Sequence, residues 1–169
     1  MDTRMIDLAS RCPDSIARMA KPPVKVLFAA LNSDGNAIQH IQPAWFRDHP
    51  ENRGRALLAS SRLAAGSITR ARAGADSAPR IPEELCLAAV RQNGFAIRHI
   101  VNPTMPVRLE AVRQDPMALE FIRHRSKAII REAITRDPRS IRFCRRVPAW
   151  ARELIESRHA NWVEFFLAA

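Results

Sequence analysis

The chain has 169 residues and carries 27 basic against 17 acidic side chains, a net charge of +10. It contains no run of about 18 apolar residues, which excludes a membrane-spanning helix, and its charged N-terminal segment lacks the apolar core of a classical secretion signal. Three cysteines without metal-ligand spacing are typical of a reducing compartment. We therefore expect a cytoplasmic protein, or one that is exported by a route the residues do not reveal.

Pairs of short helices, repeated along the chain, are the main predicted elements. Each unit has a mostly small residue in the middle of its first helix, which we call the anchor. The spacing between anchors is 22 residues, except on the two sides of the third anchor, where it is 30 and 29. A fixed period of this kind is typical of stacked repeats. The seven anchors are Leu8, Ala30, Ser60, Ala89, Ala111, Ala133 and Ile155.

The N-terminal half contains the irregular units. The unit anchored at Leu8 is truncated, and the unit anchored at Ala30 covers residues 26–41. Two predicted insertion loops, 42–54 and 69–79, flank a degenerate unit at Ser60, and both are rich in turn-forming and charged residues.

The first insertion loop carries two aromatic residues, Trp45 and Phe46, in a polar context. Insertions in repeat arrays often form the binding face, which makes these rings candidate anchors for a partner. The alternative is that they fold back and cover the end of a unit, because large apolar side chains usually become buried.

The units of the C-terminal half follow one another most regularly. In these three units and in the Ala30 unit, which are the units anchored at Ala89, Ala111, Ala133 and Ala30, the first helix should end at an Asn or Asp followed by Gly or Pro, which caps the second helix. Apolar residues at positions +8 and +11 from the anchor then form the buried side of that second helix. The predicted caps are Asp34, Asn93, Asp115 and Asp137.

One of these units resembles a known repeat. The run from Leu87 to Ile97, LAAVRQNGFAI, is similar to the L-A-A-V-x-Q-N-G-x-A-L core of a bacterial helical-repeat family, domain of unknown function 4116. The similarity extends over residues 82–144 and fades towards both ends, and this chain has His or Phe where the family commonly has Tyr. The resemblance implies a tandem helical array of the kind found in large bacterial proteins and candidate effectors. It implies no catalytic residue.

The predicted fold is therefore all-α. Residues 1–169 should form a single helical-repeat domain, an α-solenoid of about seven short two-helix repeats of about 22 residues. The sequence predicts a superhelix that is right-handed or of undetermined handedness.

Arginines recur at position +2 or +3 from the anchor. In a regular stack they would form a ladder beside the N-termini of the second helices, whose free N–H groups attract anions. The alternative is that each arginine satisfies the last carbonyl groups of its own first helix. The ladder residues are Arg11, Arg62, Arg91, Arg113, Arg136 and Arg158.

No catalytic or metal-binding pattern is present in the sequence. His40 and His99 occupy position +10, where sister units have Phe, so packing is the simpler role for them. Nucleotide-binding glycine motifs, the nucleophile elbow and paired cysteine motifs are all missing. We expect a non-enzyme without cofactor or metal.

The predicted function is a non-catalytic binding module for an acidic protein partner, as a bacterial effector or adaptor. Solenoids present extended surfaces suited to this role, and the net charge favours acidic partners. The alternative is sequence-tolerant nucleic-acid binding through the arginine ladder, although no aromatic residue recurs beside it for base stacking. The apolar C-terminal residues also suggest self-association.

Overall fold

The computed structural model describes residues 2–49, 80–144 and 146–158, and these residues form helices and no strand. The all-α prediction is confirmed for them. The α-helices are α1 (Asp2–Arg11), α2 (Val24–Ser33), α3 (Glu83–Gln92), α4 (Met105–Gln114), α5 (Lys127–Arg136) and α6 (Ala149–Arg158). The 3₁₀ helices are η1 (Pro13–Arg18), η2 (Gly35–His40), η3 (Pro43–Phe46), η4 (Gly94–His99), η5 (Pro116–Phe121) and η6 (Pro138–Phe143).

The junction between the two helices of a unit has the predicted cap. In four units the backbone N–H of the capping residue donates to the anchor carbonyl at 2.9 Å, which closes the α-helix. The side chain of the same residue then accepts the N–H two positions further on, at 2.8–3.0 Å. One residue thus ends one helix and begins the next in the units of Asp34, Asn93, Asp115 and Asp137.

The second helices are 3₁₀ rather than α-helical. Their apolar residues at +8 and +11 are three apart, which matches the three residues per turn of a 3₁₀ helix and places both on one side. Ile97 and Ile100 illustrate this: both are buried, and the N–H of Ile100 donates to the carbonyl of Ile97 at 3.1 Å. Only six residues separate the cap from the extended residue that follows, so the segment has no length for a stable α-helix.

The core is built from the anchors and their neighbours, as the periodicity predicts. Ala30, Ala89, Ala111 and Ala133 are all completely buried. The anchor of the first unit is an exception, because Leu8 is 48% exposed and Ala9 beside it is buried. The helices α2, α3, α4 and α5 each contact the 3₁₀ helix of the preceding unit, whereas α1 is the first element that the structure describes.

Successive α-helices contact one another from α1 to α6, and η1, η2, η4, η5 and η6 also contact in series. The units of Ala30 and Ala89 are direct neighbours, because α2 packs on α3. In the predicted order of anchors, Ser60 stands between Ala30 and Ala89. The Ser60 unit itself and the loop 69–79 lie outside the described residues.

Two glycines allow close contact between neighbouring units. A Cβ atom on Gly35 would overlap the carbonyl oxygen of Ala89, and one on Gly94 would lie 2.7 Å from the carbonyl oxygen of Ala111. The side chain of Gln92 stabilises the first of these contacts with two hydrogen bonds. Its Oε1 accepts from the N–H of Gly35 at 2.7 Å, and its Nε2 donates to the carbonyl of Ser33 at 3.2 Å.

A buried hydroxyl in the last 3₁₀ helix gives a first testable prediction. Ser140 is fully buried, and its Oγ has no hydrogen-bond partner among the described residues, whereas three sister units have Ala37, Ala96 and Ala118 at this position. Replacing Ser140 with Ala should raise the free energy of unfolding by about 1 kcal/mol or more, since an unsatisfied buried hydroxyl is removed. Urea denaturation measures the change.

The exposed Ser157 provides the matched control. Its Oγ donates to the carbonyl of Leu154 at 3.0 Å, and Ser157→Ala should change stability by less than about 0.5 kcal/mol. A destabilised Ser140→Ala variant would contradict the prediction.

Candidate functional site

The structure brings three ladder arginines to one edge of the molecule. Arg91, Arg113 and Arg136 lie in the last turns of α3, α4 and α5, with 64%, 52% and 46% of their side-chain surfaces exposed. Arg11 is exposed in the last turn of α1. Arg62 and the side chain of Arg158 lie outside what the structure describes.

Two glutamates alternate with these arginines. Arg91 Nε lies 2.9 Å from Glu110 Oε1, and Glu110 Oε2 lies 3.8 Å from a terminal nitrogen of Arg113. Arg113 Nε is in turn 3.4 Å from Glu132 Oε1, which lies 3.1 Å from Arg136 Nε. We call these five residues the arginine–glutamate array. An anion that binds there must compete with two carboxylates, although each exposed pair contributes only about 0–1 kcal/mol.

The glutamates occupy the position before the anchor, so the array arises from the repeat itself. The sequence predicts that repeat-related side chains align on one face, but it does not predict that acids and arginines of adjacent units pair. Their pairing depends on the spacing between helices, which only the packing of the units determines.

The backbone donors beside the ladder are largely engaged. The N–H groups of Asn36, Phe95, Met117 and Arg139 are accepted by the capping side chains of their own units. The N–H of Gly35 is accepted by Gln92, and proline at the same position in two other units has none to offer. The free N–H groups that a phosphate ladder requires are therefore not supplied by these residues.

A groove opens between α2 and α3 at the end of the array. Its cavity has a volume of about 620 Å³. Half-buried Phe28 and Leu87 form its apolar part, Ala88 forms part of the lining, and Arg91 and Glu84 contribute charge. Ala88 stands where the next two units have Glu110 and Glu132, and its short side chain leaves this space open.

Sequence reasoning missed the groove, although a signal for it exists. Phe28, Leu87 and Leu109 all stand two residues before an anchor. This apolar position is additional to those that already account for the buried side of the first helix. All three are only partly buried.

The aromatic pair of the first insertion lies in a 3₁₀ helix rather than in a loop. Phe46 is only 6% exposed and packs edge-on against His49, with 6.4 Å between ring centroids. Trp45 is half-buried and packs against the core. Both rings pack against the core, and Phe46 has little surface to offer a partner.

His40 and His99 are half-buried, as expected for position +10. His40 Nε2 lies 3.2 Å from Asp14 Oδ1, and His99 Nε2 accepts from Arg98 Nε at 2.8 Å. Burial, together with the positive charge of Arg98 and the proximity of His40, lowers the pKa of His99 below its usual value. This lowering of the pKa favours the neutral form of His99, whose ring nitrogen can accept that hydrogen bond.

Within the described parts of the chain, no three His, Cys, Asp or Glu side chains cluster in a way that could hold a metal ion. Cys12 is exposed, Cys86 is buried, and burial raises the pKa of the Cys144 thiol. None of the helices among these residues has the length and apolar composition needed to cross a bilayer.

No family model, curated protein or solved structure is significantly similar to this chain. The resemblance of residues 82–144 to domain of unknown function 4116 thus stays a prediction. Its residues, Leu87 to Ile97, span the second half of α3 and most of η4.

Proposed function

We propose that the chain is a non-catalytic helical-repeat module, an α-solenoid of stacked two-helix units, that binds an acidic protein segment. The serial contacts between successive helices support the solenoid. The single observation that carries the binding role is the groove between α2 and α3, where the half-buried side chains of Phe28 and Leu87 lie beside the exposed Arg91.

The groove offers the two contributions that a protein segment needs. Partly exposed apolar side chains gain free energy when a partner covers them, at about 25 cal/mol per Å² of apolar surface. An arginine at the edge adds a directional, charge-assisted contact with a carboxylate. Aromatic and arginine side chains of this kind are common at the energetically dominant positions of interfaces.

Arg91 is the member of the array best placed for a partner. It lies at the end of the array and, among the described residues, pairs with Glu110 alone, whereas Arg113 lies between two glutamates. It is also the most exposed of the three arginines, at 64%. An acidic side chain in the groove would take the open side of Arg91 without breaking the rest of the array.

The test uses two synthetic helical peptides about three turns long. One peptide carries leucines on one face and glutamates on the other, and the second has lysines in place of the glutamates. Isothermal titration calorimetry should show saturable binding of the acidic peptide only. Arg91→Gln and Leu87→Gln should each weaken that binding about tenfold, which corresponds to about 1.4 kcal/mol.

Arg11→Gln is the matched control, because it removes the same charge from the last turn of α1, which does not line the groove. Its affinity should equal that of the unchanged protein. Equal binding of the two peptides, or an equal loss in Arg11→Gln and Arg91→Gln, would overturn the proposal.

Nucleic-acid binding is the competing function, and the same variants address it. Three array arginines on duplex DNA would give a log–log salt dependence with a slope of about −3. A slope of that size that disappears when Arg91, Arg113 and Arg136 are all changed to Gln would favour the nucleic-acid function over the protein-binding one.

A further inference from the structure

A second, smaller cavity lies nearer the N-terminal end of α4, whereas Arg113 of the array lies in the last turn of this helix. It has a volume of about 290 Å³ and is formed by the end of η4, the linker before α4, and the end of η5 with the residues after it. It shares no lining residue with the groove between α2 and α3. Its existence therefore does not depend on the proposed protein-binding function.

The charged residues that line this cavity are all basic. Arg98, Arg108 and Arg123 line it together with His124, and no Asp or Glu does. In the part of the chain that the structure describes, none of these arginines forms an ion pair, in contrast to the three arginines of the array. Three guanidinium groups without a carboxylate create a local excess of positive charge that a bound anion would relieve.

Hydrogen bonds hold two of the arginines in place and leave most of their donors unused. Arg98 Nε donates to His99 at 2.8 Å, and a terminal nitrogen of Arg108 donates to the carbonyl of His124 at 3.4 Å. A guanidinium has five N–H donors, so each of these arginines keeps several for a ligand. Because the side chains are positioned in advance, less conformational entropy is lost on binding.

Apolar side chains form the rest of the lining. Val101 is 76% exposed and Phe121 is 38% exposed, so both offer surface to a ligand. The ring of Phe121 is supported edge-on by Phe95, with 5.9 Å between centroids. Asn102, which follows Val101, has a positive φ of 53°, a conformation that Asn tolerates better than most residues and that shapes the linker here.

We propose that this cavity binds a phosphate monoester whose phosphate carries a small apolar or aromatic group. A phosphate monoester has a charge of about −1.5 to −2 at pH 7 and three acceptor oxygens, which suits several guanidinium groups better than a single carboxylate does. The cavity volume of about 290 Å³ is sufficient for a phosphate with one ring.

Phenyl phosphate is the first probe, measured by isothermal titration calorimetry on the full chain. It should bind at least about tenfold more tightly than inorganic phosphate and than benzoate, because only phenyl phosphate fills the basic and the apolar parts together. Arg98→Gln and Arg123→Gln, both at exposed side chains, should each weaken phenyl phosphate about tenfold, with unchanged circular dichroism.

Val101→Ala separates the apolar contribution from the charge. It should reduce the preference for phenyl phosphate over inorganic phosphate and leave the affinity for inorganic phosphate unchanged. Arg11→Gln, which removes an equal charge elsewhere, should bind phenyl phosphate like the unchanged protein.

Three results would overturn the proposal. These are no saturable binding of phenyl phosphate below about 1 mM, an equal loss in Arg11→Gln, or oligonucleotide binding that depends on Arg98 and Arg123 while phenyl phosphate does not bind. A phosphotyrosine peptide distinguishes the source of the group. Binding about tenfold tighter than phenyl phosphate assigns it to a protein, and equal or weaker binding assigns it to a small molecule.

Discussion

Replacing Gly35 with Ala is expected to lower the free energy of unfolding by about 1–3 kcal/mol, the usual cost of overpacking. The added Cβ would overlap the carbonyl oxygen of Ala89 and lie 3.0 Å from Oε1 of Gln92. The Ala89 carbonyl cannot easily move, because it accepts the N–H of Asn93 that closes α3. The overlap is relieved only if the units of α2 and α3 separate, which also weakens the bond from Gly35 to Gln92.

Urea denaturation gives the measurement, as a lower midpoint at an unchanged m-value. The matched control is Pro116→Ala, at the equivalent position of another unit, where a Cβ is already present. That change should cost no more than about 1 kcal/mol, through the greater entropy of the unfolded chain. If Gly35→Ala and Pro116→Ala have equal effects, the close approach at Gly35 is not a determinant of stability.

Removal of one whole unit should leave a folded protein. Deleting residues 105–126 joins Thr104 to Lys127, so that Thr104, which precedes α4, takes the place of Ser126, whose Oγ accepts the N–H of Ile129. Gly94 would then meet Ala133 instead of Ala111, and Arg91 would pair with Glu132. We expect cooperative unfolding with a free energy lower by about 1–3 kcal/mol, from about 0.05–0.15 kcal/mol per residue.

Removal of half a unit should have a much larger effect. Deleting residues 116–126 removes η5 and takes away the buried side chains of Ala118, Leu119 and Ile122. It also joins α4 directly to α5, without the segment that leads from the end of α4 back to the start of α5. We expect complete loss of cooperative unfolding, measured by circular dichroism during urea titration. Equal damage from the two deletions would contradict a solenoid, because a closed core would be broken by either one.

The two arginine groups differ in what balances their charge. In the array, a glutamate on the same helix or on a neighbouring one lies within 4 Å of each arginine, so the ladder predicted for anions is partly neutralised by the protein itself. The arginines that line the smaller cavity stand on η4, on α4 and after η5, and at different positions within their units. A search for periodic arginines does not find them, because their proximity comes from the fold and not from the repeat.

Local chemistry made several elements predictable from the sequence. Asp34, Asn93 and their equivalents cap 3₁₀ helices because a short acceptor side chain can reach the N–H two residues on, a contact that needs no distant residue. The positions +8 and +11 are buried because their spacing places them on one side of any short helix. The all-α fold and the identity of the core follow from such local rules.

The sequence by itself determined the helices, their caps, their buried faces and the positive charge. Only the tertiary structure decided that α2 packs on α3, that Arg91 pairs with Glu110, that Phe46 is covered, and that Arg98, Arg108 and Arg123 share a cavity. The physical reason is the separation along the chain between the residues that interact. Caps and helix periods depend on residues a few positions apart, whereas these contacts depend on the distance and orientation between whole units, which the packing at Gly35 and Gly94 sets.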